Sequence, residues 1–442
     1  MFPDLKKTYA KNEVTSWPIP NYWDAIAIAL VLAIIIMLGY GARAMVGVYS
    51  FHEIIPISLD WVWLPYYALR TVLRMFIALF FSVLVTFVVG TWASKRSSAE
   101  RIIIPMVDIL QSVPVLGFLT ITVTGFIALF PDSILGPECA AIFAIFTAQV
   151  WNMILSFYQS LSTLPRDLKE VASILQLSAW QRFWRVEVPF AMPGLLWNAM
   201  ISMSGSWVFL VAAEAISVAN HNILLPGIGS YIATAIRETN GYALGYAIIT
   251  MLIVITLYDQ LLFRPLMAWA EKFKMQGDEG EAPSSWVLDL FQRTHFLRFT
   301  GNYLSSWGEA IINCRYLRLR IRSARLSKQK RLSGLWPPVA GYVLLGLAVT
   351  GCIYLFLYFV LSAVTGYEIL RVFYLGFLTA LRVMAVILIS SIIWVPVGVW
   401  IGFRPRVSRV VQPMAQFLAA FPINLLFPVA VLLILRWGLN NK

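Results

Sequence analysis

Long apolar runs recur along this sequence, and they constrain the fold more than any other feature. A helix needs about 20 apolar residues to cross a hydrocarbon core of about 30 Å. Sixty per cent of the 442 residues are hydrophobic and 13% are charged, against about a quarter charged in soluble domains. We therefore predict an all-α integral membrane protein with about nine transmembrane helices, near residues 24–47, 67–94, 102–130, 137–158, 192–217, 243–265, 338–363, 371–402 and 411–437.

Basic residues gather in short stretches between these runs. Lys95, Arg96 and Arg101 lie between the second and third spans, and Arg166 and Lys169 follow the fourth. Short loops rich in Lys and Arg stay in the cytoplasm, and these loops share one side if the N-terminus is cytoplasmic. The sequence thus predicts a multi-pass protein of the inner (plasma) membrane. Its net charge of +12 reflects this topology, so the lipid bilayer is the expected surrounding and no nucleic-acid partner is expected.

Two parts of the sequence match each other at a constant offset of 308 residues, without a gap. Because Trp, Pro and Gly are infrequent, such a register indicates a parallel internal repeat, and parallel repeats place a pathway between the two halves. The counterpart of Glu170 would fall past Lys442, so we expect the second half to be incomplete within these residues. The matched pairs are Thr71 and Thr379, Arg74 and Arg382, Gly90 and Gly398, Trp92 and Trp400, Arg96 and Arg404, Arg101 and Arg409, Pro105 and Pro413, Met106 and Met414, and Pro114 and Pro422.

The loop between the fourth and fifth spans, residues 165–193, resembles the EAA loop of ABC importer permeases. That family has Glu-Ala-Ala, three residues and Gly, followed later by a hydrophobic residue with Pro and by Pro-Gly. This sequence departs from the pattern at Val171 and Gln176, and Gln enters the left-handed conformation less readily than Gly. The matching residues are Glu170, Ala172, Ser178, Trp180, Gln181, Phe183, Val186, Pro189, Pro193 and Gly194.

The resemblance implies that this loop docks an ATPase subunit. Its short helix carries an apolar side, and the prolines end one helix and start the next. An amphipathic connector lying on the membrane is the alternative. The predicted docking residues are Glu170, Val171, Ala172, Ile174, Leu175, Gln176, Leu177 and Ser178.

Two further stretches, LQSVPVLGF at 110–118 and LPGIGSY at 225–231, extend the resemblance to the duplicated permeases of the nitrate, sulfonate and bicarbonate class of ABC importers. It implies a MetI-like ABC permease fold with five core helices per unit. It also implies ABC ATPase subunits and an extracytoplasmic solute-binding protein as partners, and a small anion as solute. No GxxxxGK[ST] loop occurs, so no cofactor is expected in this chain, and ATP and Mg belong to the ATPase.

The expected organisation has four parts. Residues 1–60 form a cytoplasmic tail, an anchor helix and an outer loop, and residues 61–268 form the first permease unit. Residues 269–337 are a basic cytoplasmic linker, and residues 338–442 begin the second unit. Within the linker, residues 315–331 hold eight basic and no acidic residues, which suits anionic headgroups; a regulatory contact is the alternative.

Polar residues inside a span are costly and raise a functional hypothesis. The candidate pathway residues are Asp108, Gln111, Ser112, Glu214, Arg74 and Arg382. Guanidinium groups bind oxyanions well, but hydrogen bonds between helices, and arginines that snorkel to headgroups, are the alternatives. The turn at 226–229 is either an external gate or an interfacial turn.

No catalytic residues and no metal site are predicted, because neither a nucleophile beside a histidine nor closely spaced cysteines occur. Two other functions stay open. A secondary transporter driven by an ion gradient would show inverted repeats and midplane acidic residues. A membrane scaffold would use the basic stretch 315–331 as its interaction surface.

Overall fold

The computed structural model describes residues 22–45, 56–113, 115–131, 133–218, 221–273, 286–313 and 365–420, together with a few single positions between 347 and 427. The chain divides into two compact units. The first comprises Met1–Arg318 with Phe417–Lys442, and the second comprises Leu319–Gln416. The predicted span 338–363, the basic stretch 315–331 and most of the predicted span 411–437 lie outside the described residues.

In the residues that the structure describes, the first unit is helical apart from one small hairpin. Its helices α1 to α13 span Tyr22–Ala44, Leu64–Lys95, Ser97–Ser112, Val115–Leu129, Leu135–Ser162, Arg166–Ile174, Ala179–Arg182, Val188–Glu214, Ile228–Arg237, Gly241–Tyr258, Arg264–Ala270, Trp286–Arg293 and His295–Ile312. Short 3₁₀ turns precede α2 and follow α11, and π-helical turns at Phe183–Glu187 and Asp259–Phe263 continue α7 into α8 and α10 into α11. Strands β1 (Ala215–Val218) and β2 (His221–Leu224) pair antiparallel directly after α8.

Three long helices, α2, α5 and α8, form the centre of the first unit. Small residues let them approach closely, since a Cβ on Gly90 would meet the Phe157 ring and one on Gly194 would lie 3.2 Å from Ser160 Oγ. Close approach of small residues is how helices associate where lipid removes the hydrophobic driving force. Helices α9 and α10 pack against this centre through Tyr231, Ala247 and other buried apolar side chains.

Among the described residues, five helical stretches are long and apolar enough to cross a membrane: Trp61–Lys95, Leu135–Ser162, Ala179–Glu214, Gly241–Ala270 and Gly366–Gly402. They correspond to five of the nine predicted spans. Helix α1 contributes a shorter apolar stretch, Val31–Arg43. The predicted third span, 102–130, is wrong as a single helix, because α3 ends at Ser112 and α4 begins at Val115. Val113 is extended, as the residue before a proline prefers.

The second unit contains α14 (Gly366–Gly402) and most of α15, which is described over Pro405–Ala420. Thr365 caps α14 with Glu368 in a reciprocal capping box, the arrangement that satisfies two free N–H groups at a helix start. The predicted offset of 308 carries Ser97 onto Pro405, so α3 and α15 begin at equivalent positions. In both pairs a long apolar helix breaks for one or two residues before the next helix begins.

Candidate functional site: a docking loop and a buried ion cluster

Helix α6 ends in a Schellman motif, and this motif shapes the predicted docking loop. Leu177 N–H donates to Ala172 C=O over 3.1 Å, and Gln176 N–H donates to Ser173 C=O over 3.0 Å. Between these bonds Gln176 adopts a left-handed backbone with φ of 50°. Glycine usually takes this position, so the bend forms where the family pattern has Gly although this chain has Gln.

The bend leaves several apolar side chains of the loop exposed. Val171 is 49% exposed, Ile174 78% and Leu175 63%. Glu170 and Gln176 are exposed as well, whereas Ala172 is buried and Leu177 and Ser178 are half-buried. One face of α6 therefore rests on the protein, and the opposite face offers apolar surface to a partner. Clustered exposed apolar side chains rimmed by polar ones are typical of protein interaction sites.

The second half of the loop is fixed to the ends of two spans. Ser178 and Gln181 form a capping box at the start of α7. Glu187 accepts an ion pair from Lys95 at the end of α2 over 2.8 Å and another from Arg182 over 2.9 Å. Because Lys95 and Glu187 touch, the end of α2 and the start of α8 lie on the same side of the membrane. A movement of the loop is thus coupled to both helices.

A buried ion cluster lies at the opposite ends of α2 and α8, formed by Arg70, Arg74, Glu138 and Glu214. All four side chains are at most 2% exposed. Arg74 donates from Nε and Nη2 to the two oxygens of Glu138 over 2.5 and 2.7 Å, and from Nη1 to Glu214 over 2.6 Å. Arg70 Nη2 donates to Glu138 over 2.5 Å. Two positive and two negative charges cancel, which is how charges persist in a dry interior.

The ion cluster also holds the segment 225–229 that follows the hairpin. Arg74 Nη2 donates to the carbonyl of Pro226 over 3.0 Å, and Glu214 accepts from the Gly229 N–H over 2.6 Å. Thr71 Oγ1 donates to Glu214 over 2.7 Å and accepts from the Ile228 N–H over 3.0 Å. Four elements, α2, α5, α8 and the start of α9, thus meet in one hydrogen-bonded network.

Two glycines permit this contact. A Cβ at Gly227 would collide with the carboxylate of Glu214, and one at Gly229 would collide with the carbonyl of Val211. The backbone of the LPGIGSY stretch therefore approaches α8 more closely than any other residue type allows. This explains why glycine stands at both places in the turn. Whether the turn acts as an external gate stays a prediction.

The structure brings together two of the predicted pathway residues, Arg74 and Glu214, as an ion pair. Snorkelling to headgroups is wrong for Arg74, whose side chain is fully buried. Both side chains have all their charged atoms occupied by protein groups. They serve helix-to-helix bonding, the alternative raised from the sequence, and neither offers a free charge to a solute in this conformation.

The other predicted pathway residues lie elsewhere. Asp108, Gln111 and Ser112 are exposed on α3, whereas Ala99, Ile103 and Val107 on the same helix are buried. Ser112 Oγ donates to the Asp108 carbonyl over 2.9 Å, within the helix. Arg382 is exposed on α14 in the second unit. The first three share one accessible face of α3, and their role in a pathway stays a prediction.

Sequence reasoning missed Arg70 and Glu138, which supply half of the ion cluster. A signal was present, because Glu138 is an ionisable residue at the start of a predicted span, and such residues need a partner. The spacing of Arg70 and Arg74, four residues apart, places both on one helix face. Complementary charges on facing spans were therefore visible, but which spans face each other was not.

The sequence of these spans and of their loop is similar to that of a known family. Residues 82–262 match the family model of the binding-protein-dependent transport system inner membrane component. The matched segment runs from the middle of α2 to the π-turn after α10 and includes the whole docking loop. Proteins of this family are inner-membrane permease subunits that are not catalytic themselves and have no cofactor of their own, since a partner ATPase uses the ATP. The matched segment is thus similar to the inner-membrane component of binding-protein-dependent transport systems.

Curated relatives support the same assignment. The chain is 33% identical over 113 residues to the nitrate import permease protein NrtB of Leptolyngbya laminosa, covering 26% of this chain and 38% of that protein. It is 25% identical over 150 residues to the bicarbonate transport system permease protein CmpB of Synechococcus elongatus, covering 34% and 49%. It is 25% identical over 191 residues to the glycine betaine transport system permease protein OpuAB of Bacillus subtilis, covering 43% and 62%. The chain thus spans about half the length of the relatives it matches.

Proposed function

We propose that this protein is the membrane-spanning permease subunit of an ABC importer and that α6 docks its ATPase. The exposed apolar triad Val171, Ile174 and Leu175 is the observation that carries the proposal. It stands at the end of two spans, on a helix closed by a fixed bend, and it is tied through Glu187 to Lys95. A rigid-body displacement of an ATPase bound to this surface is passed on to the two spans.

The docking role is tested by Ile174→Asp, which places a charge in the middle of the apolar triad. We expect the tagged variant, solubilised from membranes that contain its ATPase, to retain at least tenfold less ATPase than the parent does. This corresponds to a loss of about 1.4 kcal/mol or more in binding free energy. Truncating a buried interface anchor typically costs about 2 kcal/mol or more. Glu170→Arg should weaken coupled transport while the protein stays in the membrane.

A matched control is Ile236→Asp. Ile236 is 47% exposed on α9, which follows the far end of α8, about 40 Å along that helix from its start. This variant should retain the ATPase at the parental level. Equal retention by Ile174→Asp and the parent would contradict docking at α6.

A small anion is the proposed solute, delivered by an extracytoplasmic solute-binding protein. The support is the naming of two relatives for nitrate and bicarbonate; the glycine betaine relative shows that similar chains serve other solutes. Because Arg70 and Arg74 are neutralised by carboxylates, we do not place anion recognition on them. Titrating nitrate, bicarbonate and glycine betaine into the purified binding-protein partner by calorimetry discriminates among these solutes.

The pathway residues that we retain are Asp108, Gln111 and Ser112, on the accessible face of α3. Replacing Gln111 with Ala should change the KM for transport more than the amount of ATPase bound. An unchanged KM would contradict a role of this face in the pathway. An ion-gradient-driven transporter, the second candidate, finds no support in this geometry, since the acidic residues Glu138 and Glu214 are both fully paired.

The two units are proposed to be parallel repeats of one permease design, with the N-terminus in the cytoplasm. The equivalent starting positions of α3 at Ser97 and α15 at Pro405 support the repeat. The contact of Lys95 with Glu187 supports placing the end of α2 and the docking loop on one side. Reagents that cannot cross the membrane should therefore label a cysteine introduced near residue 97 from the inside only.

A further inference from the structure

Two helices that follow the last span of the first unit, α12 and α13, pack against that unit. Helix α12 contacts both α11 and α1, and α13 also contacts α1. Val287 and Leu290 of α12 are 3% and 8% exposed, and Thr294, which lies between the two helices, is fully buried. Burial of apolar side chains is the main force that holds such a helix in place. The two helices are therefore a packed part of the first unit.

Asn313 connects the end of α13 to the docking loop. Its Oδ1 accepts one hydrogen bond from Nε2 of Gln181 over 3.1 Å and another from Nη2 of Arg185 over 3.2 Å. Its own N–H donates to the carbonyl of Glu309 over 2.9 Å, which keeps Asn313 at the helix end. The C-terminal end of a helix carries partial negative charge and favours a nearby cation, so the end of α13 suits Arg185. One side-chain oxygen thus joins α13 to two residues of the docking loop.

Gln181 is the loop residue that depends most on this contact. It is 3% exposed. Its Oε1 accepts from the N–H of Ser178 over 3.1 Å as part of the capping box, and its Nε2 donates to Asn313. A buried N–H group without an acceptor is destabilising, because it has lost its water and gained no partner. Without the Asn313 oxygen, the side chain that caps α7 is therefore held less firmly.

The docking loop has another point of attachment at Glu187, which binds Lys95 at the end of α2 and Arg182 within the loop. One point of attachment restrains the position of a loop but not its direction. The contact of Asn313 adds a second point, and it reaches α1 and α11 through α13 and α12. Attachments to different helices restrain both the position and the direction of the loop.

We infer that Asn313 is a positioning residue of the docking loop, and that α12 and α13 form a brace that holds α6 and α7 at a fixed orientation to α1 and α11. A bound ATPase then displaces the spans, because the loop between them does not rotate and absorb the movement. This inference rests on the proposed function. It deepens that function by assigning part of the coupling to helices that lie outside the spans and outside the docking loop.

The inference is tested by hydrogen–deuterium exchange on the full chain in detergent, with Asn313 replaced by Leu. Leucine has the same branched shape as asparagine but no acceptor. The amides of Leu177, Gln181 and Arg182 report on the loop, because all three donate hydrogen bonds within it. In Asn313→Leu they should exchange at least about twofold faster, which is the lower end of what one hydrogen bond contributes to a local equilibrium.

Three further variants separate the lost oxygen from general damage. Asn313→Asp keeps an acceptor beside Arg185, where a charge-assisted bond can form, and should exchange more slowly than Asn313→Leu. Arg185→Met removes one donor from the loop side and should accelerate exchange less than Asn313→Leu does. Asn240→Leu is the matched control, because Asn240 also accepts a hydrogen bond at a helix end, from the Ala243 N–H over 3.1 Å at the start of α10. It should leave the docking-loop amides at the parental rate.

The effect on coupling is measured with the full chain, its ATPase and its binding protein reconstituted in vesicles. Asn313→Leu keeps Val171, Ile174 and Leu175, so it should retain the ATPase at the parental level. Import of nitrate, bicarbonate and glycine betaine is measured together with release of inorganic phosphate. For the solute that the parent imports, the number of molecules imported per ATP hydrolysed should fall at least about twofold. Asn313→Asp should recover part of this loss.

Four results would overturn the inference. They are parental exchange in Asn313→Leu, equally fast exchange in Asn313→Asp and Asn313→Leu, acceleration of the docking-loop amides by Asn240→Leu as well, and a parental number of molecules imported per ATP in Asn313→Leu. The exchange measurement needs no ATPase, whereas Ile174→Asp tests docking by the retention of ATPase with Asn313 intact. The brace and the docking role of α6 can therefore fail separately.

Discussion

Replacing Arg74 with Met is the most informative perturbation of the first unit. Arg74 is fully buried and makes four hydrogen bonds, three to the carboxylates of Glu138 and Glu214 and one to the carbonyl of Pro226. Methionine fills much of the same volume but leaves the ion cluster with a net charge of −1 in a dry site. Breaking a buried ion pair from one side costs about 3–5 kcal/mol.

The expected loss translates into a measurable shift in melting temperature. For a unit of this size, 1 kcal/mol corresponds to about 2–4 °C, so Arg74→Met should melt roughly 6–20 °C below the parent. Tryptophan fluorescence of the detergent-solubilised full chain, heated at one fixed rate, reports the shift. The fixed rate matters because large proteins commonly unfold irreversibly.

Two further variants make the reasoning refutable. In Arg74→Met with Glu214→Gln, the remaining pair of Arg70 and Glu138 is neutral, so at least half of the loss should be recovered. Arg264→Met serves as a control, because the side chains of Arg264 and Asp259 are 40% and 37% exposed, whereas those of the ion cluster are fully buried, and exposed pairs contribute about 0–1 kcal/mol. The charge-balance argument would be refuted if Arg74→Met lowered the melting temperature no more than Arg264→Met does. It would also be refuted if the double variant recovered none of the loss.

Three smaller changes test the loops around the site. Gln176→Gly should stabilise the bend after α6 by about 0.5–1 kcal/mol, because glycine accepts the left-handed backbone that costs other residues about 1–2 kcal/mol. An unchanged or lower melting temperature would contradict strain at Gln176. Gly227→Ala should lower the melting temperature by several degrees through a clash with Glu214, whereas Gly241→Ala, which has open space for a Cβ, should not. Asn313→Ala removes the oxygen that accepts hydrogen bonds from Gln181 and Arg185 in the docking loop. Residues 286–313 should then be cleaved faster in limited proteolysis, and cleavage at the parental rate would contradict this prediction.

The fold was predictable from the sequence where it depends on a property of a single helix. Apolar length is a property of a single segment, so five spans could be located from the sequence. The third predicted span failed because apolar length takes no account of the proline at 114, which disfavours a helical conformation of the residue before it. Its preceding residue, Val113, becomes extended, and hydropathy averaged over a window cannot detect one residue that changes conformation.

The docking loop and the ion cluster differ in how much of their structure is local. The bend at Gln176 depends on hydrogen bonds within six residues, and it forms although Gln stands where the family pattern has Gly. The ion cluster depends on which ends of α2, α5 and α8 meet, and no local pattern encodes that choice. Sequence reasoning therefore recognised Arg74 and Glu214 as candidate pathway residues, but it did not pair them with each other.

The pairing of these charges changes what an arginine in a span signifies. A lone arginine at the outer boundary of the core is adequately explained by headgroups, and that explanation suited Arg74 until Glu138 and Glu214 were placed beside it. The burial of Arg74 between two carboxylates shows that an arginine in a span is to be matched against the acidic residues of neighbouring spans before a headgroup contact is assigned to it.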